Sequence, residues 1–176
     1  MAKEIIQLAE VGPRMKPSIP SLDPRLAAYM RDGLETGAIT DENPVGLYFR
    51  AGWQPEPISP AGQALIAATI ERFRHYLAPA EPKWLTIRLA SFRSHFAIAR
   101  NPFADQVGED WDRLLGDYPD WAISEAIDEF LRWSRYAPTI SDIAVPCAQA
   151  VREARLQLKV LEHALEHAAI EFEQPA

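Results

Sequence analysis

The proline and capping punctuation between Trp111 and Phe172 limits what this chain can fold into more than any other feature. Apolar residues recur there at helical spacing, and breakers cut the run into pieces. Trp111, Leu114 and Leu115 open a short helical face. Asp117-Tyr118-Pro119 interrupts it, because Pro119 cannot continue the preceding helix and suits the start of the next. In that next helix Ile123, Ala126, Ile127, Phe130 and Leu131 fall at i, i+3, i+4, i+7 and i+8, a wide apolar stripe that must be buried. It ends before Tyr136-Ala137-Pro138, since a residue preceding proline is pushed out of the helical region. Thr139 and Asp142 then read as a capping box for a further helix.

That last helix carries Ala144, Cys147, Val151, Ala154, Leu158, Leu161, Leu165, Ala168 and Phe172 at alternating steps of three and four, a seam sustained for about four heptads. Such a seam seeks another helix, either in its own domain, in a partner or in a second copy. Its flanking charges, Arg155, Glu162 and Glu171 among them, form no pairing code. Pro146 is expected to break or kink the helix, so that the continuous part begins there.

Upstream, Ser59-Pro60 starts a helix reaching about Leu77, with Leu65, Ala68, Thr69, Phe73 and Tyr76 as its expected buried stripe. A second helix from about Lys83 carries Leu85, Leu89, Phe92 and Phe96 on one face. Before Ser59 the prolines are dense, and the segment reads as a tail with one short helix begun by Asp23 and Pro24. The cluster Val45, Leu47, Tyr48, Phe49 and Trp53 either folds back on the core or waits for a partner. No strand and no repeat is evident. The expected fold is all-α, a small helical bundle with a Pro-rich N-terminal extension (1–58), a helical core (59–145) and a long C-terminal amphipathic helix (146–176).

Composition supports a folded chain: 48% of the 176 residues are hydrophobic and 24% charged. A net charge of −7 argues against duplex DNA as the primary partner. The single cysteine, Cys147, excludes an intrachain disulfide and reads as a small buried apolar residue. No signal-peptide core and no membrane-length apolar run is seen, so a cytoplasmic protein without membrane contact is expected.

Charge is unevenly spread. Arg72, Arg74, Lys83, Arg88, Arg93 and Arg100 precede an acidic stretch that includes Glu109, Asp110, Asp112, Asp117, Asp120, Glu125, Asp128 and Glu129. Either these are solvated helix faces, or the basic group meets single-stranded DNA or an acidic partner. Trp111, Trp121 and Trp133 suit core or interface anchors better than base-stacking platforms. His163 and His167, four apart beside Glu162 and Glu166, have metal-like spacing but lack further ligands, so a solvated face is expected. No P-loop, dinucleotide glycine motif, nucleophile elbow or Cys-x-x-Cys occurs. The residues therefore imply no enzyme, no cofactor and no metal.

The Trp and Leu-Leu helix, the aromatic-Pro turn, the Ala-rich helix, the turn Tyr136-Ala137-Pro138-Thr139-Ile140-Ser141-Asp142-Ile143 and the C-terminal helical run together resemble the all-helical loader and inhibitor proteins of phage replicative helicases and similar prophage proteins. The resemblance covers roughly Lys83 to Val151 and includes no catalytic residue. It implies an ATP-independent DNA-replication accessory protein whose partner is a DnaB-type helicase and which controls loading or activity. The expected partner-binding residues are Tyr136, Thr139, Arg155, Leu158, Leu161, Glu162 and Leu165. The rival expectation is a structural or regulatory coiled-coil protein that forms a homo-oligomer through its last helix, without a helicase.

Overall fold

A computed structural model describes residues 12–40, 43–96 and 104–169. In chain order these form α1 (Pro24–Arg31), β1 (Leu34–Thr36), β2 (Leu47–Phe49), α2 (Pro60–Tyr76), α3 (Pro82–Ser94), α4 (Ala104–Leu115), α5 (Asp120–Trp133) and α6 (Ile140–His167). The chain is mostly helical, as an all-α fold with a long C-terminal helix requires. It divides into two compact units. Unit 1 comprises Met1–Pro17 and Ala78–Ala150, and unit 2 comprises Ser18–Leu77 and Val151–Ala176. These boundaries differ from the expected division at 58 and 145, because each unit is assembled from two separated stretches of chain.

In unit 1, Glu81 caps α3 by accepting from the Lys83 and Trp84 amides, with Pro82 in the first turn. The buried face of α3 is Trp84, Leu85, Leu89 and Phe92, while Phe96 stays half-buried. The Phe92 ring meets Phe96, Trp111 and Phe130 edge-on at centroid distances of 5.7, 6.3 and 5.8 Å, geometries that aromatic quadrupoles favour. Thr86 of α3 donates to Asp112 of α4 across 2.8 Å. On α5 the predicted stripe is buried at Ile123, Ala126 and Ile127, and Trp121 and Ala122 join it.

Residues 12–17 belong to this unit, contrary to their reading as part of an N-terminal extension. The Arg14 amide donates to the buried hydroxyl of Ser124 at 2.8 Å, and the Trp84 indole donates to the Gly12 carbonyl at 3.4 Å. Arg14 pairs with Asp120, and Lys16 pairs with Glu125 while lying over the Trp121 ring. The strap thus takes up part of the acidic surface of α5.

Unit 2 contains the element that the sequence reading missed, an antiparallel pair in which Leu34 opposes Phe49, Glu35 opposes Tyr48 and Thr36 opposes Leu47. Each strand is three residues long, too short to show alternation, and no two-residue turn joins them. Asn43 builds the connection instead. Its side chain donates to the Leu47 carbonyl and accepts from the Gly46 amide, and Gly46 takes the left-handed backbone (φ 63°) that glycine adopts without strain. The apolar cluster folds back in part: Trp53 is buried, with Leu26, Met30 and Ile58, while Leu47, Tyr48 and Phe49 are half-buried and Val45 stays 63% exposed. Asp23 caps α1 ahead of Pro24, as expected.

Ser59 caps α2 through the Gly62 amide, and the expected stripe is buried at Thr69, Phe73 and Tyr76 but not at its first two positions. Ile66, Thr69, Ile70, Phe73 and Tyr76 are buried, whereas Leu65 and Ala68 are exposed. Thr69 stays satisfied in the interior by donating to the Leu65 carbonyl and accepting from Arg72.

The predicted capping box opens α6. The Thr139 amide donates to the Asp142 carboxylate at 2.7 Å, and the Asp142 amide reaches the Thr139 hydroxyl at 3.4 Å. Thr139→Ala should lower stability by about 0.5–2 kcal/mol, as cap removals do. An unchanged midpoint in chemical denaturation would show that the box contributes nothing. Pro146 does not break the helix, contrary to expectation. Its missing N–H forfeits one i→i−4 bond, and Ile143, Cys147 and Val151, all fully buried, hold the helix on either side.

Cys147 is buried as predicted, and burial pushes its thiol up from 9.0 to about 12, with Glu125 adding to the effect and a backbone hydrogen bond opposing it. In the unfolded chain the thiol ionises near 9, so between 9 and 12 the folded state holds more protons. Stability should therefore be fully present below pH 9 and fall as pH rises toward 12. Urea titrations at stepped alkaline pH should show this slope, and Cys147→Ala should remove the thiol's share of it. Tyr29, raised by burial and secondarily by Glu56, has the same sign and would remain. An identical slope in the variant would rule out Cys147 as a source.

Candidate protein-binding surface

The apolar stripe of α5 does not stop where the interior of unit 1 stops. Ile123, Ala126 and Ile127 are buried, Phe130 is half-buried and Trp133, the final helical residue, is 78% exposed. Beyond it the turn leaves Tyr136 82% exposed, and Val145 on α6 is half exposed. Between the end of α5, the turn and the start of α6 lies an open hollow of about 480 Å³. Its floor is apolar, from Ala126, Phe130 and Pro146, and its rim carries Trp133, Arg135 and Tyr136.

The rim is locally braced. The Trp133 indole donates to Glu129 at 2.8 Å, which orients the ring, and Arg132 pairs with the other Glu129 oxygen at 3.5 Å. Ser134 bridges the turn, donating to the Tyr136 carbonyl and accepting from the Tyr136 amide. The Asp142 carboxylate on the lining is occupied by the Thr139 amide and hydroxyl, both at 2.7 Å. Large aromatic area, a guanidinium and apolar floor are the composition of protein-interface anchor points. Nothing in this set is arranged for acid-base or nucleophilic chemistry.

Tyr136 and Thr139, expected at the surface, lie at this hollow and its adjoining cap. The other expected partner residues belong to unit 2. Of these Arg155 is exposed, and Leu158 and Leu165 are half-buried. Leu161 corrects the expectation, being 0% exposed and part of the interior. Glu162 is held by Arg74 at 2.8 Å. The seam residues Cys147, Val151 and Ala154 are buried too, and Val160 and Ala164 join Leu161. That broad face is the imprint of a globular interior, wider than a coiled-coil seam. Phe172 lies outside the described residues.

The six basic residues are divided as well. Arg72 and Arg74 belong to unit 2, Lys83, Arg88 and Arg93 to unit 1, and Arg100 lies outside the described residues. Several are already engaged: Arg72 with Thr69, Arg74 with Glu71 and Glu162, and Arg88, only 13% exposed, with Asp128 at 2.9 Å. The hydrogen bonds that Arg74 donates to Glu162 and Glu71 raise its pKa above the ordinary value.

His163 also departs from expectation. Instead of a solvated face, it occupies an aromatic cluster of unit 2, hydrogen-bonded to the Trp53 carbonyl at 2.9 Å and edge-on to Phe49 at 5.0 Å. The bond to a carbonyl requires the proton on Nε2. His167 stacks on it at 4.2 Å and is exposed. Among the described residues no group of three or more His, Cys, Asp or Glu side chains is placed to hold a metal ion.

Sequence reasoning missed Arg135 and undervalued Trp133. The signal for Trp133 was present: it extends the Ala126–Phe130 face by one more step of three, yet sits at the last position before the chain turns away. No family model, curated protein or solved structure matches the chain.

Proposed function

We propose that this chain is an ATP-independent accessory protein that binds a DnaB-type replicative helicase and controls its loading or activity, docking through the Trp133–Tyr136 hollow of unit 1. The observation that carries a docking role is the apolar stripe of α5 running past the interior to a braced, solvent-facing tryptophan. The helicase as partner comes from the resemblance over Lys83 to Val151, a segment that contains the whole hollow. The mechanism needs no catalysis. A ligand shifts a conformational equilibrium by its unequal affinity for the two states, so tighter binding to one helicase conformation suffices. No helix among the described residues is long and apolar enough to cross a membrane, and the proposed place of action is the cytoplasm, with single-stranded DNA at most a weak secondary contact.

Binding of the purified host helicase, measured by biolayer interferometry, should weaken about tenfold or more in Trp133→Ala, as for a central aromatic anchor. The substitution leaves the interior intact, so the circular dichroism should not change. A wild-type protein that fails to bind the helicase would sink the proposal. Self-association through α6 is the weaker reading, because the seam residues Cys147, Val151, Ala154 and Leu161 are already buried within single chains.

A further inference from the structure

We infer that the hollow at the end of α5 takes an acidic, amphipathic protein segment, one that puts a bulky apolar side chain on the floor and a carboxylate against Arg135. The inference rests on the docking role proposed above and adds the chemistry of the occupant.

Both carboxylates on the lining of the hollow already have hydrogen-bonding partners. The Glu129 carboxylate receives the Trp133 indole and Arg132. The Asp142 carboxylate receives the Thr139 amide and hydroxyl, and it sits in the first turn of α6, where the helix dipole is positive. Arg135 is different. It is exposed on the rim and, among the described residues, makes no hydrogen bond or ion pair. Among the described residues, the charged side chain of the hollow that lacks a hydrogen-bonding partner is therefore a guanidinium, set in sequence between the exposed Trp133 and Tyr136.

A guanidinium presents its donors as a planar fork that fits a carboxylate bidentately. The flanking aromatic rings would exclude water from such a pair and so strengthen it. The floor of Ala126, Phe130 and Pro146 offers no hydrogen-bonding side chain, so what enters must be apolar. A nucleic-acid occupant is disfavoured. One arginine neutralises at most one phosphate, and affinity for a nucleic-acid backbone scales with the number of phosphates neutralised.

The test selects peptides from a random displayed library on wild-type protein, Arg135→Glu and Trp133→Ala, each first checked for wild-type circular dichroism. Wild type should enrich sequences combining a large apolar residue with Asp or Glu, Arg135→Glu should lose or reverse the acidic preference, and Trp133→Ala should enrich none of them. A selected peptide, fluorescently labelled, should bind Arg135→Glu about tenfold or more weakly, with Arg135→Lys in between. Enrichment of basic or charge-neutral peptides, no enrichment at all, or binding of a labelled oligothymidine that Trp133→Ala abolishes would each overturn the inference. The selection contains no helicase. Acidic peptides selected by a protein that ignores the helicase would uphold the inference and defeat the helicase reading. Helicase binding weakened by Trp133→Ala but not by Arg135→Glu would do the reverse.

Discussion

Leu161→Asp is expected to leave unit 2 unfolded at room temperature. The Leu161 side chain is 0% exposed, flanked on α6 by the equally buried Val160 and Ala164. Removing it costs about 2–5 kcal/mol from lost transfer and the cavity left behind. A carboxylate in its place adds the penalty of desolvating a charge. Together these rival the whole stability of a typical domain, about 5–15 kcal/mol. Circular dichroism should show lost helix and a broadened or absent melting transition, while Leu161→Ala should fold with a lower midpoint. Had this residue faced a partner, the same charge would have abolished binding and spared the fold. A cooperative, wild-type melt for Leu161→Asp would return the helix to the interface reading.

Phe92→Ala should be the most damaging single truncation in unit 1, at about 3–5 kcal/mol. Its ring is 1% exposed and is the common neighbour of Phe96, Trp111 and Phe130. Deleting it opens a cavity that three rigid rings close poorly, and it also forfeits their edge-to-face contacts. The urea midpoint should fall by that amount divided by the transition slope, and the near-ultraviolet signal should weaken as Trp111 loses its packing partner. Phe92→Leu, which keeps most of the volume, should recover part of both. A midpoint within error of wild type would mean that the ring cluster does not hold the unit together.

The helices were legible because their ends are written in local chemistry. Asp23-Pro24, Ser59-Pro60 and Thr139 with Asp142 each place a cap and a first turn that need nothing from elsewhere in the chain. The hairpin was not, because each strand is only three residues long, too short to show alternation, and the chain turns between them through local contacts of Asn43 with Gly46 and Leu47 instead of a two-residue turn. On α2 two registers carry apolar side chains, and only tertiary packing chose Ile66 and Ile70 over Leu65 and Ala68. The apolar repeat of α6 suits an interior face, a partner seam and a second copy alike, so spacing does not decide among them. Val160 and Ala164, buried beside Leu161, widen it beyond such a seam. Of the candidate surface, Tyr136 was visible by its place in a proline turn. Arg135 was not, since what distinguishes it is the lack of a partner among the described residues, a property of three-dimensional neighbours alone.

The way unit 2 is threaded has a consequence for how the chain emerges from the ribosome. Leu26, Met30, Ile66, Ile70 and Phe73 are made early, but Val160, Leu161 and Ala164, which complete the same unit, are made after all of Ala78–Ala150. At synthesis speeds of about 5–20 residues per second, that early apolar surface waits roughly 5–20 s for its closing helix. Through most of this interval Ala78–Ala150 is becoming available to fold on its own account. The nascent chain therefore matures from the middle outward, with its first-made half the most exposed to chaperones and to misassociation.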